Sequence, residues 1–267
     1  MTSTYCEADI NYLSAVGPQG MRMPINNARQ ATERWAWAEH GFELQTLPSA
    51  VSDWSSLAAI EACHYDELTT GAKAQSGCDA VLFYPVVMRN PTSAQAKPDF
   101  APIQFAHSDY CENYGDMLAD VDHPYIELLA PSLARAEIER AEIARARRIL
   151  TLQVWRNTGP RWMSHPLCLA DMSTVAREQM VAVRVATYGG LTTEFDSLAL
   201  TPQGAEGNRW YTFPAMNIDE VLVFRAYDSN AVAQSQPFWA PHTAFLDPFH
   251  LDTPRCSVEM RAICLFW

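Results

Sequence analysis

The sequence predicts an α+β protein with a mainly β core, a barrel or jelly roll buttressed by helices. Three observations carry this. Helical periodicity sits in the first half of the chain. After residue 150, short apolar stretches recur between Gly, Pro, Asn and Asp, at 151–155, 181–187, 210–213, 221–227, 238–245 and 257–267. That is the texture of a sandwich or barrel rather than of a helical bundle. No linker-like boundary interrupts the 267 residues. One domain, 1–267, is therefore expected, with an N-terminal helical section (1–75) packed on a core that spans 76–267.

Taken in order, residues 27–39 place Ala28, Ala31, Trp35 and Ala38 on one helical face. The serines and aspartate of 52–56 can cap a second helix through Leu57, Ile60 and Cys63. Residues 79–88 read as a buried strand and 89–98 as loop. A strand over 101–109 ends in a polar cluster. The strongest helical pattern covers 131–150: Pro131 suits a first turn, and Leu133, Ile138, Ala141, Ile143 and Ala144 alternate with Arg and Glu. The Glu137–Arg140 and Glu142–Arg145 pairs describe a solvated face, and Arg145, Arg147 and Arg148 suit the negative end of the helix dipole.

Composition excludes several function classes. At 48% hydrophobic and 19% charged residues, the chain can bury a core. With 31 acidic against 19 basic residues, the net charge is −12. Such a surface repels phosphate backbones and anionic bilayers, so neither nucleic acid nor membrane is an expected partner. No apolar run approaches the roughly 20 residues needed to span a bilayer. The first eleven residues carry Glu7 and Asp9 and no basic residue, unlike a secretory or transit signal. The seven cysteines are scattered, with no CxxC pair, and read as reduced packing residues of a cytoplasmic protein. The glycines lack phosphate-loop context, and no GxSxG is present. Only Lys73 and Lys97 are lysines, so a side chain that grips a small carboxylate is expected to be an arginine, whose planar fork bonds both oxygens.

The informative triplet is His107-Ser108-Asp109. On a strand, residues i and i+2 point to one side, so an imidazole and a carboxylate converge while Ser108 points away. A second imidazole from a distant strand would complete a two-histidine, one-carboxylate face, the ligand set of non-haem iron(II) oxygenases. Alone, the triplet is equally compatible with a surface turn. Of the remaining histidines, His242 follows a strand-like stretch and leads His250 as the third ligand. Arg255 and Ser257 open the last strand and can meet the far carboxylate of a chelating 2-oxo acid. Arg261 shares their face and is the alternative clamp; a salt bridge to Glu259 is the plainer role for either arginine. Tyr110, Arg156 and Trp239 are candidates for the substrate pocket, each with an ordinary packing or pairing role as the alternative.

Six ordered blocks then point to a family. His107–Tyr110 resembles an H-x-D-Y motif. Val154–Arg156 with Gly159-Pro160, Pro166-Leu167 and Asp171 resembles a VWR–GP–PL block and its acid, and Asn208–Tyr211 resembles H-R-W-Y. Residues 219–229 resemble DEVLLFKxYDS, residues 241–248 PHTAFxDP, and residues 255–261 RESIEVR. Over about 75–267 the chain thus resembles the hydroxylase/desaturase family of secondary metabolism (gibberellin desaturase/CmcJ-like). Asn208, Arg225 and Cys256 depart from its usual His, Lys and Glu. The resemblance implies a double-stranded β-helix, Fe(II) and 2-oxoglutarate as cofactors, and His107, Asp109 and His242 as metal ligands. It also implies hydrogen abstraction from an unactivated carbon of a small molecule, with O2 consumed and hydroxylation, desaturation or oxidative cyclisation as the outcome. A cupin-like metal enzyme that does not use 2-oxoglutarate, and a metal-free binding protein on the same scaffold, are the rival readings.

Overall fold

The computed structural model describes residues 3–267. The chain opens on a hairpin, β1 (Thr4–Ser14) and β2 (Gly17–Asn27), paired antiparallel. Cys6, Ala8, Ile10 and Tyr12 are buried and alternate with polar residues, the period of a half-buried strand. The hairpin corrects the expected helical section over 1–75. Within 27–39 only a 3-10 turn at Ala28–Gln30 and the single-turn α1 (Trp37–His40) form. Tertiary packing overrides local propensity there: the Trp35 ring stacks on Phe42 at 4.9 Å and lies 4.4 Å from Tyr211. β3 (Phe42–Thr46) follows. The second expected helix is present as α2 (Leu57–Ser76). Ser56 accepts from the Ala59 N–H at its start, and Gly77, at φ 71°, ends it.

The buried run 79–88 divides into β4 (Ala80–Phe83) and β5 (Val87–Arg89), because Pro85 between them has no N–H to give a ladder. Then come α3 (Pro91–Ala96), the two-residue β6 (His107–Ser108) and α4 (Tyr114–Ala119). The helix expected over 131–150 is broken. α5 (Ala130–Ala136) stops where Glu137 adopts φ 56°, α6 (Arg140–Ile143) is one turn, and β7 (Arg148–Asn157) takes the remainder. Left-handed backbone cannot continue an α-helix, and it disfavours a Cβ. Glu137→Gly is expected to raise stability by about 0.5–1 kcal/mol, measured by denaturant melts; an unchanged or lowered midpoint would contradict that account.

β8 (Leu167–Ala170), β9 (Met180–Tyr188), β10 (Leu191–Leu200), β11 (Trp210–Thr212) and β12 (Glu220–Asp228) lead to α7 (Ser229–Ala233), β13 (His242–Ala244) and β14 (Ser257–Phe266). Each apolar stretch anticipated after residue 150 contains a strand. β8 and β10 lie outside those stretches. The strands form two sheets: eight in the order β1-β2-β11-β8-β13-β6-β10-β9, and six in which β3-β12-β7-β14-β4 run side by side and β5 also pairs with β14. Ile10, Tyr12 and Ile25 of the larger sheet share one core cluster with Leu82, Ile263 and Leu265 of the smaller one. On its other face, the smaller sheet packs Met260, Ala262 and Cys264 against Leu68 and Ala72 of α2. This is the double-stranded β-helix with helical buttressing that the sequence led one to expect. No helix among the described residues is long and apolar enough to cross a membrane.

Candidate metal centre

β6 and β13 are neighbours in the larger sheet, and their register sets His242 directly opposite His107. The two rings lie 4.3 Å apart. Asp109 follows β6 by one residue, and its Oδ1 lies 4.0 Å from His107 Nε2. The alternation expected for this triplet is realised: Ser108 is fully buried on the opposite side, where its Oγ accepts from the Ala240 N–H. The structure thus brings His107, Asp109 and His242 together, with one ligand atom of each within 4.8 Å of the others. His250 goes elsewhere. It bonds Asp247 and stacks on Trp162.

Both imidazoles are held the same way. Nδ1 of His107 lies 2.7 Å from the Phe105 carbonyl, and Nδ1 of His242 lies 2.9 Å from the Ala240 carbonyl. Each carbonyl takes the Nδ1 proton, which leaves Nε2 as a bare lone pair, the tautomer that binds metals. Burial, with His242 nearby, pulls His107 down to about 4, and burial also lowers His242, so both rings are neutral at ordinary pH. Burial pushes the Asp109 carboxyl up, but Arg261 and the two imidazoles outweigh it and hold the group well below the usual carboxylate range. Arg261 Nη2 donates to Asp109 Oδ1 at 3.2 Å, while Oδ2 is buried with no hydrogen-bond partner. Two free imidazole nitrogens and one orphaned carboxylate oxygen are a donor set that fits a divalent iron.

The facing wall belongs to β14 and the residues leading into it. Arg255, Ser257, Glu259 and Arg261 alternate, so they share one side of the strand. With the triad, Arg255, Glu259 and Arg261 line a narrow cleft of about 20 Å³, together with Arg89 and Gln153. Arg89 donates to Glu259 at 2.8 Å and to the Tyr188 hydroxyl at 2.7 Å. Arg255 differs from its neighbours. It donates to Ser257 Oγ at 3.0 Å and lies over the Trp155 ring at 5.4 Å, but among the described residues no carboxylate pairs with it. Burial, with Arg89 nearby, pulls its guanidinium down to about 9.

A second, larger space adjoins this cleft. It has a volume of about 300 Å³ and is walled by Tyr84, Val87, Phe100, Leu128, Leu191 and Arg261, among others. The three residues suggested for the substrate pocket do not line it. Tyr110 stands behind the wall, stacked on Tyr114 at 3.7 Å with its hydroxyl 3.2 Å from that of Tyr125. The Arg156 guanidinium turns to the outside, over Trp54, and donates to the carbonyls of Leu47 and Ile218. Trp239 packs against Phe238 in the core. Sequence reasoning missed Arg89 and Gln153. Gln153 left a legible trace, as a polar residue between the apolar Leu152 and Val154 of β7. Arg89 left none, because it stands at the start of a loop-like segment.

The fold and a two-histidine, one-carboxylate donor set define a class of enzymes, the non-haem iron oxygenases. Within it, the chain belongs to the family described as YDMC, oxidoreductase/YMDC permease-like domain, which matches residues 4–265. Two relatives align along most of their length. One is the alpha-ketoglutarate-dependent dioxygenase phiK of a fungal species (strain ATCC 74256), 24% identical over 240 residues, covering 85% of this chain and 78% of that protein. The other is the hydroxylase/desaturase CTB9 of Cercospora beticola, 23% identical over 262 residues, covering 91% and 75%. Among solved structures, the iron and alpha-ketoglutarate-dependent endoperoxidase NvfI superposes with a TM-score of 0.74 at 19% identity, over 98% of both chains. A variant of it reaches 0.77 over the same coverage.

Proposed function

We propose that the protein is an oxygenase of secondary metabolism that oxidises an unactivated carbon of a small molecule, by hydroxylation, desaturation or oxidative cyclisation. His107, Asp109 and His242 hold iron(II), and Arg255 with Ser257 holds the distal carboxylate of 2-oxoglutarate. The observation that carries this is Arg255: a buried cation without an acid, on the wall opposite three metal-type donors. A buried unpaired charge is costly, and the cost is offset when an anion arrives. Arg261 is the weaker clamp because its Nη2 already serves Asp109.

When bound, the iron and the 2-oxo acid would supply the oxidising power: O2 would take two electrons from the acid, which leaves as carbon dioxide and a shorter diacid, and two from the substrate. The protein's own residues do the placing. The Phe105 and Ala240 carbonyls fix both imidazoles. Arg261 donates to Asp109 Oδ1 and so holds the carboxylate beside the imidazoles. The stacked Tyr110 and Tyr114, with Tyr84 and Tyr125, close the space behind Asp109 against water.

Anaerobic titration with iron(II) and then 2-oxoglutarate tests the reading. A weak visible charge-transfer band that saturates at about one equivalent of each is expected for a bidentate chelate on a three-ligand site. Iron binding without the band would favour a metal enzyme that ignores 2-oxoglutarate. Failure to bind iron would favour a binding protein.

A further inference from the structure

The six-stranded sheet presents a row of three side chains to the metal donors. Phe224 of β12, Gln153 of β7 and Arg261 of β14 are direct cross-strand partners, so they share one face of the sheet. Both outer members of the row touch the triad. The Phe224 ring lies 4.7 Å from that of His242, and Arg261 donates to Asp109 at 3.2 Å. Gln153 stands between them and lines the metal cleft. Arg255, the proposed clamp, lies over Trp155, two residues further along β7. A diacid that reaches from the donors to Arg255 therefore meets Gln153 at its metal end.

Gln153 is also the one polar side chain of this cleft left without a bond. His107 and His242 meet backbone carbonyls, Arg261 donates to Asp109, Arg89 to Glu259 and Arg255 to Ser257. Among the described residues, the Gln153 amide has no hydrogen-bond partner. Its Oε1 is buried, so the nitrogen is the end that reaches the cleft. An unanswered buried amide costs free energy, and a ligand oxygen would recover it. At about 20 Å³ the cleft has room for about one water. A five-carbon acid enters only if a wall side chain gives way, and an unbonded glutamine with three rotatable torsions gives way most easily.

We propose that Gln153 is a contact for the keto-acid head of 2-oxoglutarate. The assignment rests on the oxygenase reading above. The Gln153 amide N–H donates to an oxygen of the head beside His107, Asp109 and His242, while Arg255 takes the distal carboxylate. An amide suits this place because it is a neutral donor. A third cation in that row would repel the metal that the triad holds.

The test uses the iron(II)-loaded full chain under anaerobic conditions, titrated with 2-oxoglutarate. Affinity and the position of the charge-transfer band are read for the wild type, Gln153→Met, Gln153→Leu and Arg255→Met. Both Gln153 variants are expected to bind 2-oxoglutarate about 10-fold or more weakly, the size of a hydrogen bond to a charged group. Their band should also move, because it arises between the metal and the keto-acid head. Arg255→Met should weaken binding with the band in place. Iron content should stay at the wild-type level in all four. Wild-type affinity in the Gln153 variants would overturn the proposal. So would weaker binding with an unmoved band, which puts Gln153 at the distal end, or loss of iron, which makes it a support of the metal. The two variants differ in branching, so if one fails to fold the other decides. Failure of both would make Gln153 a structural residue and end the proposal. A wild type that binds no iron, or shows no band, would instead defeat the oxygenase reading.

Discussion

His242→Ala is expected to remove iron from the protein. The wild type, loaded anaerobically and desalted, should retain about one iron per chain, and the variant almost none. Loss of a direct ligand exceeds the 10–100-fold drop in affinity typical of losing only its hydrogen-bond support. The reasoning is geometric. His107 and Asp109 sit two residues apart on one strand end, and the third donor comes only from β13, across a cross-strand pair with His107. His242 is also packed at 4.7 Å from the Phe224 ring, so alanine leaves a cavity. His242→Gln, closer in volume, separates the two effects: it should melt near the wild type and still fail to hold iron. Retention of a full equivalent of iron by His242→Gln and His242→Ala would show that the three side chains do not form the site.

Arg255→Met is expected to produce two opposite changes in one protein. Affinity for 2-oxoglutarate should fall by about 100-fold or more, near 3 kcal/mol, the scale for removing one partner of a buried charge pair. The ligand-free protein should become more stable by ~1–4 kcal/mol, because methionine fills the space over Trp155 without a buried charge. Iron content should not change, since Arg255 touches none of the triad. Such a trade of stability for binding marks a residue kept for its ligand. Unchanged 2-oxoglutarate affinity in this variant would move the clamp elsewhere on β14.

The parts of the site that the sequence disclosed are those governed by strand alternation. His107 and Asp109 share a side even though β6 is only two residues long, and Arg255, Ser257, Glu259 and Arg261 follow the same rule. Which histidine completes the set depended on register between distant strands, and local pattern separated His242 from His250 only by what preceded it. The opening hairpin was legible: Cys6 to Tyr12 alternates apolar and polar without a fault, but the helix-like spacing of 27–39 drew the whole section toward helix. The failure at 131–150 has another cause. Its amphipathic pattern is real, yet Glu137 switches hand and β14 recruits residues from Arg148 onward into a ladder, a demand made from more than a hundred residues away. Arg156 shows the limit of reading direction from a strand alone. It alternates in step with Val154 and away from Gln153 and Trp155, and the outside of the sheet offered it Trp54 and two free carbonyls.

The metal donors and the proposed carboxylate clamp hang from different sheets, His107 and His242 from the eight-stranded one and Arg255 from the approach to the six-stranded one. The gap between packed sheets, roughly 10 Å, is set by interior side chains rather than by the site itself. The architecture therefore works as a caliper. A diacid one carbon shorter or longer than five carbons would leave one jaw without a grip, and a buried substitution that widens the sandwich would blunt the choice of co-substrate from a distance.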